Sequence, residues 1–292
     1  MLNSVTKLIS IIYNEQFCKR NFDRTAEPAA MANHDQVAVW HSTGGIDGPL
    51  IPIYFVTANA CSSFVPKGGV VIDLGCGTGR FAAYLAKLRP DIKVIGLDLS
   101  AEMVKQGNNS LRAENLADRV SLIECDMIKF SQHAPPETSL VTSIFSLHHL
   151  PGLNHVNELC NQVNVFTEKT GCSFFLFDFV RPRHIQTAFS FPEVFTANSA
   201  EVFKEDTTNS LKAAFTHEEL KESFEDAFKN YNYKKELSRI LPLYQSFWVA
   251  GRNIKNKINS EKTFPLSHSI NTKNKINGLE LILPKTVEVY KK

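Results

Sequence analysis

The 292-residue sequence is short of the features that mark several classes of protein. Its six cysteines (Cys18, Cys61, Cys76, Cys125, Cys160 and Cys172) include no CxxC pair and no metal-ligand spacing, which argues against a zinc module. Several stand in apolar runs, where free cysteine behaves as a small hydrophobe, and a reducing, cytoplasmic setting is expected. No apolar run approaches the ~20 residues of a spanning helix, so no membrane partner is expected. The short run from Leu8 to Tyr13 is broken by Ser10 and lacks a cleavage pattern, which predicts no signal peptide. Charge of one sign is scarce too. A formal net charge of +2 is too small to argue for a nucleic-acid partner. It is unevenly spread: from Gly251 onward nine Lys/Arg stand against three Asp/Glu, so this part carries +6 and the rest −4. No internal repeat is visible.

What is present points to a globular chain. Hydrophobic content of 43% and charged content of 21% are ordinary for a folded domain, and the length allows one large domain or two small ones. The organising stretch is Val70 to Arg80, VVIDLGCGTGR. An apolar run meets Asp73, three glycines alternate at Gly75, Gly77 and Gly79, and Phe81, Leu85 and Leu88 follow at helical spacing. That is strand, tight turn and helix, the corner at which open α/β sheets bind nucleotides. The glycines supply positive φ and let a ligand touch the main chain. A dinucleotide fingerprint spaces its glycines GxGxxG and brings pyrophosphate to the helix N-terminus. Here the spacing is GxGxG, and Asp73 precedes the first glycine by two residues. A carboxylate there repels pyrophosphate and suits a ligand that carries an ammonium group.

Past this corner the chain alternates. Val94 to Asp98 reads as a second strand, and Ser100 caps a helix with Glu102 in its first turn. Val120 to Cys125, Leu140 to Leu147 and Ser173 to Val180 read as three more strands. The last is too apolar to face water on either side. Thr216 to Glu219 forms a capping box that opens a further helix, and Phe247 to Gly251 reads as a final strand. Before the corner, Gln36 to His41 suggests a helical turn, and an apolar helix is expected from Leu50 to about Phe64. The rhythm predicts an α/β fold with a doubly wound, mainly parallel sheet. Asp98 ends the second strand, 23 residues after Gly75, where a carboxylate either accepts two ribose hydroxyls or merely serves a turn. Leu99 and Met103 are apolar neighbours suited to sandwich a base.

The run from Asp73 to Gly79, DLGCGTG, resembles the first motif of the class I S-adenosylmethionine-dependent methyltransferases. The resemblance covers roughly residues 66–253 and is strongest over 70–150. Phe177 to Pro182 and Asn209 to Phe215 look like small bacterial members of uncertain substrate. It implies a seven-stranded Rossmann-like sheet and S-adenosylmethionine as cofactor, held by Asp73, Gly75, Cys76, Gly77, Gly79, Asp98, Leu99 and Met103. It also implies Asp126 at the adenine amino group with Met127 beside it, and Phe145 along the methionine half. An antiparallel hairpin strand is implied for the last strand. No Asp/Asn-Pro-Pro-Tyr/Phe segment follows the fourth strand, as it does in amino-methylating DNA, RNA and glutamine enzymes. No Pro-Cys nucleophile stands there either. A small-molecule acceptor is expected.

His148 and His149 follow Phe145, and either one serves as general base or only orients the loop. No third ligand is spaced to join them, so no metal is expected. The expected organisation is an N-terminal helical segment (1–65), a cofactor-binding domain (66–253) and a basic Asn/Lys-rich tail (254–292). The N-terminal segment either covers the cofactor or packs on the sheet edge. Residues 181–209, with Phe189, Phe191, Phe195 and Phe203, form either a substrate lid or core. The competing functions are a nicotinamide-dependent oxidoreductase and a cofactor-binding protein without transfer activity.

Overall fold

Seven strands build one sheet: β1 (Val70–Leu74), β2 (Lys93–Asp98), β3 (Val120–Glu124), β4 (Thr138–Ile144), β5 (Ser173–Phe179), β6 (Tyr233–Leu237) and β7 (Tyr244–Val249). Their spatial order is β3-β2-β1-β4-β5-β7-β6. All pairs from β3 to β5 are parallel, and β7 runs antiparallel to both β5 and β6. The computed structural model describes residues 2–28, 34–45, 48–238 and 240–252. The basic tail 254–292 lies outside the described residues.

Nine helices are present among the described residues. They are α1 (Leu2–Phe17), α2 (His34–Thr43), α3 (Ile51–Ser62), α4 (Arg80–Leu88), α5 (Ala101–Ala113), α6 (Leu153–Thr170), α7 (Ile185–Phe195), α8 (Glu201–Ala213) and α9 (His217–Phe228). Strand side chains alternate between two cores, as the pleat requires. On β5, Phe175 and Phe177 join a cluster with Phe55, Phe81 and Leu85, while Phe174 and Leu176 join one with Val163, Phe224 and Phe247. Both faces of the central strands are therefore buried, which explains the unbroken apolar runs. The order reverses between β1 and β4. Ligands bind outside the carboxyl ends of strands at such a switch point, and the glycine corner stands there.

Several boundaries differ from expectation. The fourth strand ends at Ile144 rather than Leu147, because Phe145 takes φ 55° and turns the chain into a short 3-10 helix, Leu147–His149. The last strand spans Tyr244–Val249 rather than Phe247 to Gly251, and β6 comes before it. β6 reads YKKEL, a polar pattern suited to an edge strand and carrying little hydrophobic signal. α2 is longer than the turn expected at Gln36 to His41. Residues 181–209 hold the helices α7 and α8, and α7 packs on α1. Phe191 and Phe203 are buried and Phe189 is exposed.

α4 and α5 are clamped by one carboxylate. Glu114, which caps α5, takes Arg80 and Lys87 of α4 on its two oxygens. Burial alone would raise its pKa from 4.5, but hydrogen bonds from Lys87 and Arg80 outweigh that and hold it at about 2. A lowered carboxyl pKa adds stability above the unfolded value, and that stability is lost as pH falls through the folded one. Thermal unfolding should therefore show wild type losing more stability than Glu114→Gln between pH 4.5 and about 2. Parallel curves for the two proteins would remove Glu114 from the account.

Candidate active site

The glycine turn is fixed by backbone bonds to the neighbouring strand. Gly75 and Cys76 N–H both donate to the Leu97 carbonyl, at 2.8 and 3.0 Å. Gly77 N–H donates to Asp98 Oδ2 at 2.7 Å, and Ser100 N–H to Asp98 Oδ1 at 2.9 Å. Gly75, Gly77 and Gly79 have φ of 66°, 54° and 69°. The first two are needed for different reasons. A Cβ on Gly75 would lie 2.4 Å from Ser146 Cβ, so this glycine lets the ends of β1 and β4 approach. A Cβ on Gly77 would meet no atom within 4 Å. That glycine borders a cavity of about 320 Å³ at the mouth of the corner.

All eleven residues expected to hold the cofactor, apart from Gly79, line this cavity. Gly79 instead lies under the turn, where its Cβ would strike Leu122, and it N-caps α4 in a left-handed conformation. Asp73 is 2% exposed. Burial first, and then the neighbouring Asp98, push its carboxyl well above the usual range. Among the described residues no N–H or O–H donates to it, so a cationic donor from the cavity side would stabilise its charged form. Burial also raises Asp98, against the opposing bonds from Ser100 and Gly77. A carboxylate has about four lone-pair sites, so each Asp98 oxygen retains capacity toward ribose hydroxyls. Asp126 Oδ1 accepts from Ile128 N–H at 3.0 Å and N-caps the 3-10 helix Met127–Gln132. Its second oxygen has no such duty. Leu99 is 47% exposed at the rim, while Met103 is buried.

The β4 end separates the two histidines. Phe145, a bulky residue at positive φ, is held by its N–H bond to the Phe177 carbonyl and by stacking on Phe179 at 4.5 Å. Such strain collects at functional sites. His148 is buried, and its Nδ1 lies 2.7 Å from Asp178 Oδ1 while its N–H donates to Asp178 Oδ2 at 3.1 Å. Burial opposes its charge, but Asp178, with Glu27 and Asp206, outweighs this and raises its pKa. His149 lines the cavity, and burial together with His148 lowers its pKa. The more basic ring does not line the cavity, and the accessible ring is the weaker base.

The N-terminal segment covers the corner. Trp40 lines the cavity and packs edge-on against Phe203. His41 Nδ1 lies 3.0 Å from Thr78 Oγ1, and Arg80 Nε donates to the Gly44 carbonyl. A strap before α2 is pinned by Arg24, which donates to the carbonyls of His148, Leu150, Pro151 and Ala213. No residue of 181–209 lines the cavity. The sequence reading missed Trp40, Tyr54, His155, Glu27 and the role of Asp178. For Asp178 a signal existed, a lone charge inside the apolar run of β5. Nothing in the chain order joins Glu27 to His149.

The two glycines predict different losses. Gly77→Ala should lower stability by only the left-handed penalty of roughly 1–2 kcal/mol, yet abolish measurable ligand affinity. Gly75→Ala adds the collision with Ser146 and should lower the Tm further. Equal Tm losses, with unchanged ligand affinity for Gly77→Ala, would contradict this division.

Residues 71–167 match the family described as "Methyltransferase domain". Carboxy-S-adenosyl-L-methionine synthase of Campylobacter jejuni is 31% identical over 84 residues, 27% of this chain and 35% of that protein. Sphingolipid C9-methyltransferase A of Emericella nidulans is 30% identical over 107 residues, 37% of this chain and 20% of that protein. The chain thus spans about a third or less of the length of the curated relatives it matches. The plantazolicin methyltransferase BpumL, solved with a monoazolic desmethylPZN analog and SAH, superposes with a TM-score of 0.55 at 13% identity. That match covers 75% of this chain and 90% of BpumL, and the likeness is one of fold. The chain is thus similar to methyltransferases over residues 71–167, and its seven-stranded sheet shares the fold of BpumL.

Proposed function

We propose that the chain transfers the methyl group of S-adenosylmethionine to a small-molecule acceptor by in-line displacement. The observation that carries this reading is the Asp73 carboxyl, buried with no donor among the described residues beside the GxGxG turn and close enough to Asp98 to feel its charge. A pyrophosphate would meet two carboxylates there. An amino-acid ammonium group would find its counter-charge at Asp73, and a ribose its acceptors at Asp98. Asp126 and the apolar Leu99, Met103 and Met127 suit an adenine.

Bound S-adenosylmethionine supplies a sulfonium methyl whose leaving group needs no protonation. The chain's own residues then have to bind, orient and exclude water. Orientation of this kind is worth roughly 7–11 kcal/mol. Trp40, Tyr54 and His149 share the cavity with the cofactor residues, and they form the surroundings we assign to the acceptor. The N-terminal segment, rather than 181–209, is the part we assign as substrate cap. Phe191 and Phe203 act as core that supports it. The sphingolipid of one relative and the desmethylPZN analog bound by BpumL favour an organic acceptor of modest size. Six unpaired cysteines suit a reducing cytoplasm, and among the described residues no helix is long and apolar enough to cross a membrane.

Calorimetric titration separates this from nicotinamide chemistry. S-adenosylmethionine and S-adenosylhomocysteine should bind with micromolar Kd, and NAD should not bind measurably. Equal affinity for NAD would overturn the cofactor assignment. Release of S-adenosylhomocysteine with a panel of small acceptors would distinguish an enzyme from a cofactor-binding protein.

A further inference from the structure

A second constellation, outside the glycine corner, is assembled from residues far apart in the chain. We propose that Glu27, His148 and His149 form a three-ligand site for a divalent transition-metal cation, with Asp178 orienting His148. One donor atom from each of the three lies within 4.8 Å of the other two. His149 Nδ1 stands 3.2 Å from Glu27 Oε2. Two ligands each about 2.0–2.1 Å from a tetrahedral ion are ~3.3 Å apart, so this pair has the separation of neighbouring vertices.

The approach is not a hydrogen bond. Glu27 Oε2 is buried and has no donor, although its side chain is only 9% exposed. The other oxygen of Glu27 accepts from Ser210 Oγ at 3.4 Å. Asp206 is a second carboxylate close by, and its charge reaches both Glu27 and His148. The nearby cation does not relieve this, because Arg24 directs Nε, Nη1 and Nη2 at backbone carbonyls. An unpartnered buried carboxylate is costly. A bound cation would complete it.

The surroundings of His148 have the form seen around metal-bound imidazoles. Asp178 occupies Nδ1 and also takes the His148 N–H, which leaves Nε2 as the free ligand atom and fixes the ring. A carboxylate behind a ligating histidine raises its basicity and sets its orientation. Two imidazoles and one carboxylate suit zinc or a neighbouring first-row ion better than magnesium, which prefers oxygen. Three protein ligands leave a position for a further group, and His149 also lines the cofactor cavity.

The consequence for transfer rests on the methyltransferase reading, whereas metal binding itself does not. An acceptor hydroxyl in the remaining position would lose its proton to water more readily on the ion. Its oxygen lone pair would then form the new C–O bond while the S–C pair stays on the thioether sulfur.

Cobalt(II) provides the probe. The full chain, stripped with chelator, should take up one Co²⁺ with a Kd in the low micromolar range or below and develop visible bands of low-coordinate cobalt. Glu27→Gln and His149→Ala should each weaken uptake by at least a hundredfold with unchanged circular dichroism, and Asp178→Asn by about ten- to a hundredfold. His149 is a third exposed, so that variant keeps the test usable even where substitution at His148 unfolds the chain. No cobalt uptake by wild type would overturn the site. So would uptake unaltered by Glu27→Gln and His149→Ala, or a thiolate-to-cobalt band. Titration of the same stripped protein with S-adenosylhomocysteine reads the cofactor corner separately. Binding there without cobalt uptake refutes only the metal site, and the converse refutes only the cofactor reading.

Discussion

The glycine corner is built around an acid that receives no hydrogen bond among the described residues. Asp73 is buried at the carboxyl end of β1, and neither the glycine turn nor the sheet donates a hydrogen bond to it. Such a group is expensive to bury, and the architecture around it is what makes it tolerable. The pair of N–H bonds to Leu97, the Asp98 bridge to Gly77 and the Gly75–Ser146 approach hold the corner in one shape. Asp98 therefore has two duties. It braces the turn through the Gly77 and Ser100 N–H groups, and it lines the cavity with lone pairs to spare.

The same economy appears at the β4 end. Phe145 is strained, and the strain re-aims the chain so that His148 meets Asp178 while His149 turns to the cavity. The strap pinned by Arg24 then brings Glu27 to both rings. One sheet thus presents two polar centres: the glycine corner on the β1–β2 side, and the histidine group on the β4–β5 side. Only the first is written in contiguous sequence.

That difference decides what could be read from the chain. The GxGxG turn, the Ser100 cap and the Thr216/Glu219 capping box depend on residues a few positions apart, and each forms as its spacing predicts. β5 was legible because burial on both faces makes its run uniformly apolar. β6 was not, since an edge strand with two lysines has no hydrophobic period. The end of β4 was misplaced because a positive φ at phenylalanine has no sequence signal. Residues 181–209 read as either lid or core, and they fold as two helices, while Trp40 of α2 and Tyr54 of α3 line the cavity. Glu27 joins His148 and His149 only through the path of the strap.

The central claim is that Asp73 and a ligand ammonium group complete each other. It is tested most directly by a thermodynamic cycle between this side chain and that group. The affinities of S-adenosylhomocysteine and of 5′-methylthioadenosine, which lacks the amino-acid portion, are measured for wild type and Asp73→Asn. The account predicts that the substitution weakens S-adenosylhomocysteine at least tenfold, about 1.4 kcal/mol, and leaves 5′-methylthioadenosine nearly unchanged. Equal losses for both ligands, or none for either, would contradict it.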